Sequence, residues 1–224
     1  LKVLRPKFSR DQRLLHRFRN EASTASQLNH PNTITVYDFG VLPDSGLYIA
    51  MEFIEGRSLE EEIRKKKSIE WKRACQIVMQ ICGSLQEAHS RNIVHRALNP
   101  ENIMLTQRGT EEDIVKVLDF GIAKIMSDDS QKPREGITMG DEVFGTPEYM
   151  SPEQIRSQPV DPRTDIYALG TIFYRMLAGC LPYRNEAPLA VLAQHLMEEP
   201  IPLHSHGASA RIPSPLDTLV MSTL

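Results

Sequence analysis

The sequence of 224 residues has few cysteines and no long apolar run. Cys75, Cys82 and Cys180 are an odd number of thiols without C-x-x-C spacing or nearby histidine pairs. This pattern argues against a disulfide framework and a zinc site, and it favours a reducing, cytoplasmic setting. No stretch reaches the roughly 20 apolar residues that cross a bilayer, and the first residues do not match a signal peptide. We therefore expect no membrane segment in this chain.

A strong excess of one charge is also missing. Lysine and arginine number 26 against 29 aspartate and glutamate. This balance gives no electrostatic reason to expect nucleic acid or an anionic membrane as the main partner. The run Lys65-Lys66-Lys67 is interpreted as solvated cations near the end of a helix rather than as a binding patch.

An initial methionine and internal repeats are absent, and the chain opens at Leu1 within an apolar run. We therefore expect a fragment of a longer protein. Its length suffices for one domain or for two closely joined lobes.

The most informative stretch reads HRALNPEN, from His95 to Asn102, and Asp119-Phe120-Gly121 follows seventeen residues later. It resembles the catalytic loop and metal-binding turn of protein kinases, H-R-D-L-x-x-x-N and D-F-G. His95 and Arg96 match this pattern. Two residues depart from it: Ala97 stands in place of the aspartate that accepts the substrate hydroxyl proton, and Asn99 in place of the lysine of Ser/Thr kinases.

The resemblance continues through GTPEYMSPE and the apolar segment that starts near Asp165. It implies an α+β, bilobal protein kinase-like fold of the bacterial Ser/Thr type, truncated at both ends. The small β lobe would cover residues 1–53, and the mainly helical large lobe residues 54–224.

The same resemblance assigns residues to ATP and Mg²⁺. LKVL resembles the end of the V-A-I-K strand, so that Lys2 would hold the nucleotide phosphates and Glu21 would pair with it. Asn102 and Asp119 would supply the oxygen ligands that magnesium prefers. The adenine site would comprise the gatekeeper Met51, the Glu52 carbonyl, the Ile54 amide and Met104 beneath the ring. The plainer alternatives are a solvent-facing strand lysine, a surface glutamate and an ordinary strand end.

The glycine-rich loop that precedes this lysine in kinases is not part of the sequence, because the chain begins after it. We therefore expect weak ATP binding by this chain.

Residues 119–153 form a long segment rich in Ser, Asp, Gly and Pro, and such loops are usually functional or mobile. In kinases Arg96 pairs with a phosphate on this segment, which makes Thr138 the first candidate phosphosite, ahead of Ser127 and Ser130. Alternatively, Arg96 bonds loop carbonyls. By the same resemblance, Thr146 would contact the catalytic loop and Glu153 would close the substrate-docking segment.

Asp165 is expected to cap the helix at 164–178 and, by resemblance, to hold the backbone of the catalytic loop. His89 is expected to do no more than favour a helix dipole. His204 and His206 could bind a metal, although solvent-exposed loop histidines are the alternative.

Periodicity and turn signals predict the remaining elements. A capping box at Ser58 should start a short helix. On the long helix, Cys75, Met79 and Cys82 are interpreted as core or near-core residues, and the polar run 107–113 as a solvated turn. We expect helices at 10–28, 70–90 and 188–198, strands at 33–41, 47–53, 103–105 and 115–118, and a last helix opening at Pro215.

Three functional hypotheses stay open. Loss of a general base costs roughly 10² to 10⁴ in rate, so the domain would be a pseudokinase or a very slow kinase that binds ATP and Mg²⁺ and acts on partner proteins. Alternatively, it is an active Ser/Thr kinase that transfers the γ-phosphate to a protein substrate. The third hypothesis is a kinase inactivated on purpose, although two changes together favour natural drift. The setting would be the cytoplasm, or the cytoplasmic domain of a larger membrane-anchored protein.

Overall fold

The computed structural model describes residues 1–4, 12–42, 46–120, 146–206 and 212–224. The smaller part of the molecule is built on an antiparallel sheet of β1 (Lys2–Leu4), β2 (Val36–Val41) and β3 (Leu47–Met51), in the order β1-β3-β2. Helix α1 (Gln12–Ala25) packs on this sheet, because its apolar stripe buries Phe18 and Ala22 against the strand side chains.

A second antiparallel sheet introduces the larger part. It consists of β4 (Gly56–Ser58), β5 (Ile103–Arg108) and β6 (Glu111–Val117), in that order. The sequence did not indicate β4, which has only three residues. Its pairing requires Gly56, because a Cβ there would lie 2.3 Å from the Leu105 carbonyl oxygen.

Six helices complete the described part of the chain. They are α2 (Leu59–Lys66), α3 (Trp71–Ser90), α4 (Pro152–Ile155), α5 (Pro162–Ala178), α6 (Pro188–Met197) and α7 (Ser214–Met221). Helices α3 and α5 pack against each other in the main core, and α5 is buried almost all round, as predicted. The predicted α+β fold with a small strand-rich lobe and a helical large lobe is confirmed, whereas the boundary at residue 53 stays a prediction.

The helix ends explain where these elements begin. Ser58 caps α2 through a reciprocal capping box with Glu61, as predicted. The prediction that Asp165 caps α5 is wrong, because the N-cap is Asp161, whose carboxylate accepts from the Arg163 amide at 2.8 Å. Asp165 lies one turn inside the helix and is fully buried.

The interpretation of Met79 and Cys82 as core residues is wrong. Met79 is 65% exposed, and Cys82 is also exposed. Both lie on the outward side of α3, because the buried stripe runs through Ile77, Ile81 and Leu85.

The predicted solvated turn at 107–113 is also wrong at both ends, since β5 continues to Arg108. Strand β6 starts at Glu111, and Asp113 accepts two hydrogen bonds from the Arg73 guanidinium at 2.6 and 2.8 Å. Arg73 and Arg57 also bond Glu62, which is 2% exposed. Burial alone would raise the pKa of Glu62, but these two arginines outweigh it and lower the pKa.

Within the described ranges, no helix is both long and apolar enough to cross a membrane.

Candidate nucleotide-binding and catalytic site

The loop that begins at His95 is held from below by one buried carboxylate. Asp165, on α5, accepts the backbone N–H of His95 at 2.8 Å and that of Arg96 at 2.9 Å. Arg96 itself adopts a left-handed conformation, with φ of 68°. The sequence implied this contact of Asp165.

His89 is a member of this group that the sequence analysis missed. Its Nε2 lies 2.7 Å from Asp165 Oδ2 at the end of α3, where its side chain is 15% exposed. An ionised carboxylate only accepts hydrogen bonds, so the imidazole nitrogen is the donor. The sequence did contain a signal for this inward position. His89 is four residues after the buried Leu85, so it lies at the edge of the same helical face.

His95 is fully buried and links the loop to the D-F-G turn. Its Nε2 lies 2.7 Å from the Leu118 carbonyl, which can only accept, and its Nδ1 lies 3.3 Å from the Ala97 amide, which can only donate. In this geometry Nε2 is the donor and Nδ1 the acceptor. The ring also packs on Phe120, with ring centroids 4.8 Å apart. Both nitrogens of His95 are occupied, so neither is available to accept a substrate proton.

Asn102 is oriented by the backbone of the loop. Its side-chain Nδ2 donates to the Ala97 backbone carbonyl at 3.0 Å, and its backbone carbonyl accepts from the Leu118 amide at 2.8 Å. The donor side of the carboxamide is thus engaged within the loop, which leaves the Oδ1 atom as a possible metal ligand. An amide oxygen together with the carboxylate of Asp119 suits Mg²⁺, which takes one or two protein oxygens and completes its shell with phosphates and water.

Asn99 has a role that the sequence analysis missed. It caps the 3-10 turn Pro100–Asn102, since its Oδ1 accepts from the amides of Glu101 at 2.9 Å and Asn102 at 3.2 Å. Its Nδ2 lies 3.3 Å from the Ala97 carbonyl and 3.4 Å from Thr146 Oγ1. The signal was present in the sequence, because Asn followed by Pro and Glu is typical of a capped helical start.

Lys2 and Asp119 join the two lobes at the nucleotide side of the site. Lys2 Nζ donates to Asp119 Oδ2 at 2.5 Å, and the two side chains are 38% and 18% exposed. Asp119 adopts a left-handed conformation with φ of 59°. The side chain of Glu21, the expected partner of Lys2, lies outside the described residues.

The expected adenine site lies where β3 leads into β4. Met51 ends β3 and lines a small apolar cavity together with Asp119 and Phe120. The Glu52 carboxylate accepts from Lys116 at 2.8 Å and from the Thr35 amide at 2.7 Å. Burial alone would raise the pKa of Glu52, but the Lys116 and Thr35 hydrogen bonds outweigh it and lower the pKa. These bonds fix the chain just before the half-buried Ile54.

Met104 is the remaining residue of the expected adenine site. It lies on β5, half-buried and paired with Ser58 of β4.

The segment after residue 145 is tied to the loop by side chains. Thr146 lies within reach of Asn99, and Gln154 Nε2 donates to the Arg96 carbonyl at 2.7 Å. Glu153 lies on α4, and its carboxylate accepts a hydrogen bond from the Thr164 hydroxyl of α5 at 2.6 Å. Thr138, Ser127 and Ser130 lie outside the described residues, and the Arg96 guanidinium makes no ion pair within the described part of the chain.

An open cavity lies on this side of the loop, and Glu101 and Glu148 are among the residues that line it. Arg175 on the same wall is already bonded to Glu60, at 2.5 and 2.8 Å, and to the Tyr149 hydroxyl.

The two loop histidines near the C-terminus have other neighbours than a metal site. His204 Nδ1 lies 3.1 Å from the Asp217 carboxylate, and His206 contacts the Tyr174 hydroxyl at 2.7 Å. Across the ranges that the structure describes, there is no group of three or more His, Cys, Asp or Glu side chains arranged to hold a metal.

Comparison with known proteins identifies the family. The protein kinase domain family matches residues 1–217. The chain belongs to the protein kinase family. As a family, protein kinases use ATP and Mg²⁺ and act on protein substrates.

The relatives of this kinase domain include bacterial Ser/Thr kinases. Serine/threonine-protein kinase pkn3 of Myxococcus xanthus is 43% identical over 224 residues, which are 100% of this chain and 41% of the relative. Serine/threonine-protein kinase PknB of Mycobacterium tuberculosis is 38% identical over 229 residues, covering 100% of this chain and 35% of the relative. The chain therefore spans less than half the length of these curated relatives.

A solved structure shows the same fold. The crystal structure of the kinase domain of Mycobacterium tuberculosis PknI matches with a TM-score of 0.71 at 27% identity, covering 100% of this chain and 75% of that one. The predicted resemblance to bacterial Ser/Thr protein kinases is thereby confirmed.

Proposed function

We propose that this kinase domain is a pseudokinase, or at most a very slow kinase, that binds a magnesium nucleotide and acts through contacts with partner proteins. The observation that carries the proposal is Ala97, which has no group able to accept a hydroxyl proton. A positioned base contributes roughly 10² to 10⁴ in rate, or about 3 to 5 kcal/mol of barrier. Asn99 adds to the loss, because a neutral carboxamide cannot balance the charge of a transferring phosphoryl group as lysine does.

Several neighbouring groups that could replace the base are engaged elsewhere. Asp165 binds the loop amides, Asp119 binds Lys2, and both nitrogens of His95 are occupied. Among the acidic residues that the structure describes beside the loop, Glu101 and Glu148 line the neighbouring cavity. These two glutamates are the replacements that an experiment has to test.

The residues for nucleotide binding are retained. Lys2 would contact the phosphates, while Asn102 and Asp119 would hold the magnesium ion. When bound, Mg²⁺ neutralises phosphate charge and bridges phosphate oxygens. The chain itself contributes orientation: the Ala97 carbonyl fixes Asn102, and Asp165 fixes the backbone on which both lie. Binding without efficient transfer is therefore the combination that these residues favour.

The alternative function is an active Ser/Thr kinase that transfers the γ-phosphate of ATP to protein. The names of the relatives favour it, since pkn3 and PknB are called serine/threonine-protein kinases. A slow transfer that depended on Glu101 or Glu148 would reconcile this alternative with the absence of an aspartate at position 97.

The deciding experiment measures transfer of labelled γ-phosphate by the natural full-length protein and by the variant Ala97→Asp with Asn99→Lys. We expect the restored variant to be faster by roughly 10² to 10⁴. The matched control is Ala97→Asn with Asn99→Lys, which has the same side-chain size without a carboxylate and should stay slow. If the natural protein is as fast as the restored variant, the pseudokinase proposal is wrong. Glu101→Gln and Glu148→Gln would then identify the substitute base.

Nucleotide binding has a separate test. ATP should raise the melting temperature of the natural protein more with Mg²⁺ than without it, because bound ligand stabilises the folded state. Asp119→Asn should remove the magnesium-dependent part of this shift. If ATP produces no shift in either condition, the domain is a scaffold that does not bind nucleotide.

A further inference from the structure

We infer that Asn99 is a positioning residue that caps the turn leading to Asn102 and thereby sets how well Asn102 is placed for Mg²⁺. The inference rests on the proposed magnesium-nucleotide binding. It gives a structural role to a residue that would otherwise count only as a missing lysine.

The acceptor side of Asn99 makes the stronger contacts. Its Oδ1 receives the amides of Glu101 at 2.9 Å and Asn102 at 3.2 Å, and its backbone carbonyl also receives the Asn102 amide at 3.1 Å. A lysine has no acceptor and could not form this cap. The amide of the proposed metal ligand is therefore held by the very side chain that replaces lysine.

The donor side of Asn99 connects three parts of the site. Its Nδ2 approaches the Ala97 carbonyl at 3.3 Å, and the Asn102 Nδ2 donates to the same carbonyl at 3.0 Å. It also lies 3.4 Å from Thr146 Oγ1, which a methyl side chain at position 97 cannot hydrogen-bond. These donor contacts are longer than the usual 2.9 to 3.0 Å mode of such bonds. The acceptor contacts should consequently dominate the effect.

This ranking separates two substitutions of Asn99. Asn99→Ala removes both sides of the carboxamide, whereas Asn99→Ser keeps a capping oxygen. Asp161→Ala is the matched control, because it removes the N-cap of α5 away from the loop. Asn102→Ala serves as the benchmark for loss of the metal ligand itself.

The experiment measures the affinity of the full-length protein for ATP with and without Mg²⁺ by calorimetry, and thermal unfolding confirms that each variant is folded. Asn99→Ala should weaken binding of ATP with Mg²⁺ by about 2- to 30-fold, the equivalent of losing a cap, with less than about twofold change without Mg²⁺. Asn99→Ser should recover most of this loss. Asp161→Ala should leave the ratio of the two affinities unchanged.

The outcomes distinguish the inference from the proposed function. If Asn102→Ala abolishes the magnesium dependence and Asn99→Ala does not alter it, the inference is overturned and nucleotide binding stands. If Asn99→Ala weakens both affinities equally, Asn99 is only a structural cap and the inference is again overturned. If Asn102→Ala leaves the magnesium dependence intact, the metal assignment itself is wrong, and the inference falls with it.

Discussion

The two ends of the catalytic loop have kept different chemistry. Near its start, in the function that we propose, Ala97 and Asn99 stand where the kinase motif has the groups that act on the substrate hydroxyl and the transferring phosphate. Near its end, Asn102 still faces a D-F-G turn with an aspartate, and Lys2 contacts that aspartate. Side chains hold the loop in place near both ends: Asp165 accepts the amides of His95 and Arg96 near its start, and Asn99 accepts those of Glu101 and Asn102 near its end. A kinase loop can therefore lose reactive groups without losing its conformation, because different residues supply the two.

The largest expected effect comes from removing Asp165, the residue that holds the start of the loop, because the loop would then lose its conformation as well as its reactive groups. Asp165→Ala leaves the buried His95 amide, the part-buried Arg96 amide and the His89 ring nitrogen without an acceptor. Each unsatisfied group costs about 1 to 3 kcal/mol, so we expect the free energy of unfolding to fall by at least about 3 kcal/mol. Urea denaturation measures it.

The control for this prediction is Asp161→Ala, which removes another aspartate from the start of α5. Its side chain is 44% exposed, so the loss should be much smaller. Equal losses for the two variants would show that Asp165 is no more than another helix-terminal carboxylate, contrary to the support role.

The sequence predicts the role of Asp165 in holding the loop better than it predicts contacts elsewhere in the large lobe. Asp165 could be assigned because it stands in a motif with fixed order, whereas the partner of Asp113 is Arg73, forty residues earlier on another element. No local pattern encodes such a distant pair. The misplacement of Met79 has a different cause: a helical stripe read from the sequence has an uncertain width, and packing against α5 decides which flanking positions are covered.

Asn99 illustrates a third kind of limit. The string N-P-E predicts a capped turn by general rules, yet comparison with kinases draws attention to the lysine that is missing there. When Asn99 is interpreted only as a missing lysine, its own hydrogen-bonding capacity is overlooked. The structure shows that its side-chain oxygen caps the turn.

A second prediction sharpens the comparison with a region outside the loop. His195 on α6 is 5% exposed, and its Nδ1 lies 2.6 Å from the Tyr167 hydroxyl. Burial lowers the pKa of His195 from 6.5 to about 4. Between pH 6.5 and about pH 4, the unfolded chain therefore binds a proton at His195 and the folded protein does not. The free energy of unfolding falls as the pH drops through this range.

Between pH 7 and pH 5 this group should cost about 2 kcal/mol of unfolding free energy. His195→Gln should reduce the pH dependence by about that amount, as measured by urea denaturation at both values. His16→Gln, which changes an exposed histidine of α1, is the matched control. The same pH dependence in the His195→Gln variant as in the natural protein would mean that the buried ring is not the titrating group. The magnesium dependence of ATP binding at pH 7 should not change, because His195 lies apart from the loop contacts.

The smallest effect tests the half of the site that kept its chemistry. Lys2→Met removes the cation that bonds Asp119, and we expect ATP with Mg²⁺ to bind about 10-fold more weakly, the equivalent of one hydrogen bond to a charged group. Calorimetry on the full-length protein measures it. Lys72→Met changes a lysine of α3 that lies over Trp71 instead, so it should leave the affinity unaltered.

The result for Lys2→Met decides whether the nucleotide-binding residues are functional although the catalytic groups are missing. A side chain that is 38% exposed can lose its partner to water at little cost, so its contact with Asp119 alone does not establish a role in binding. If Lys2→Met and Lys72→Met bind ATP equally well, the contact of Lys2 with Asp119 does not serve nucleotide binding. If Lys2→Met alone weakens binding, Lys2 acts in nucleotide binding although position 97 has no carboxylate.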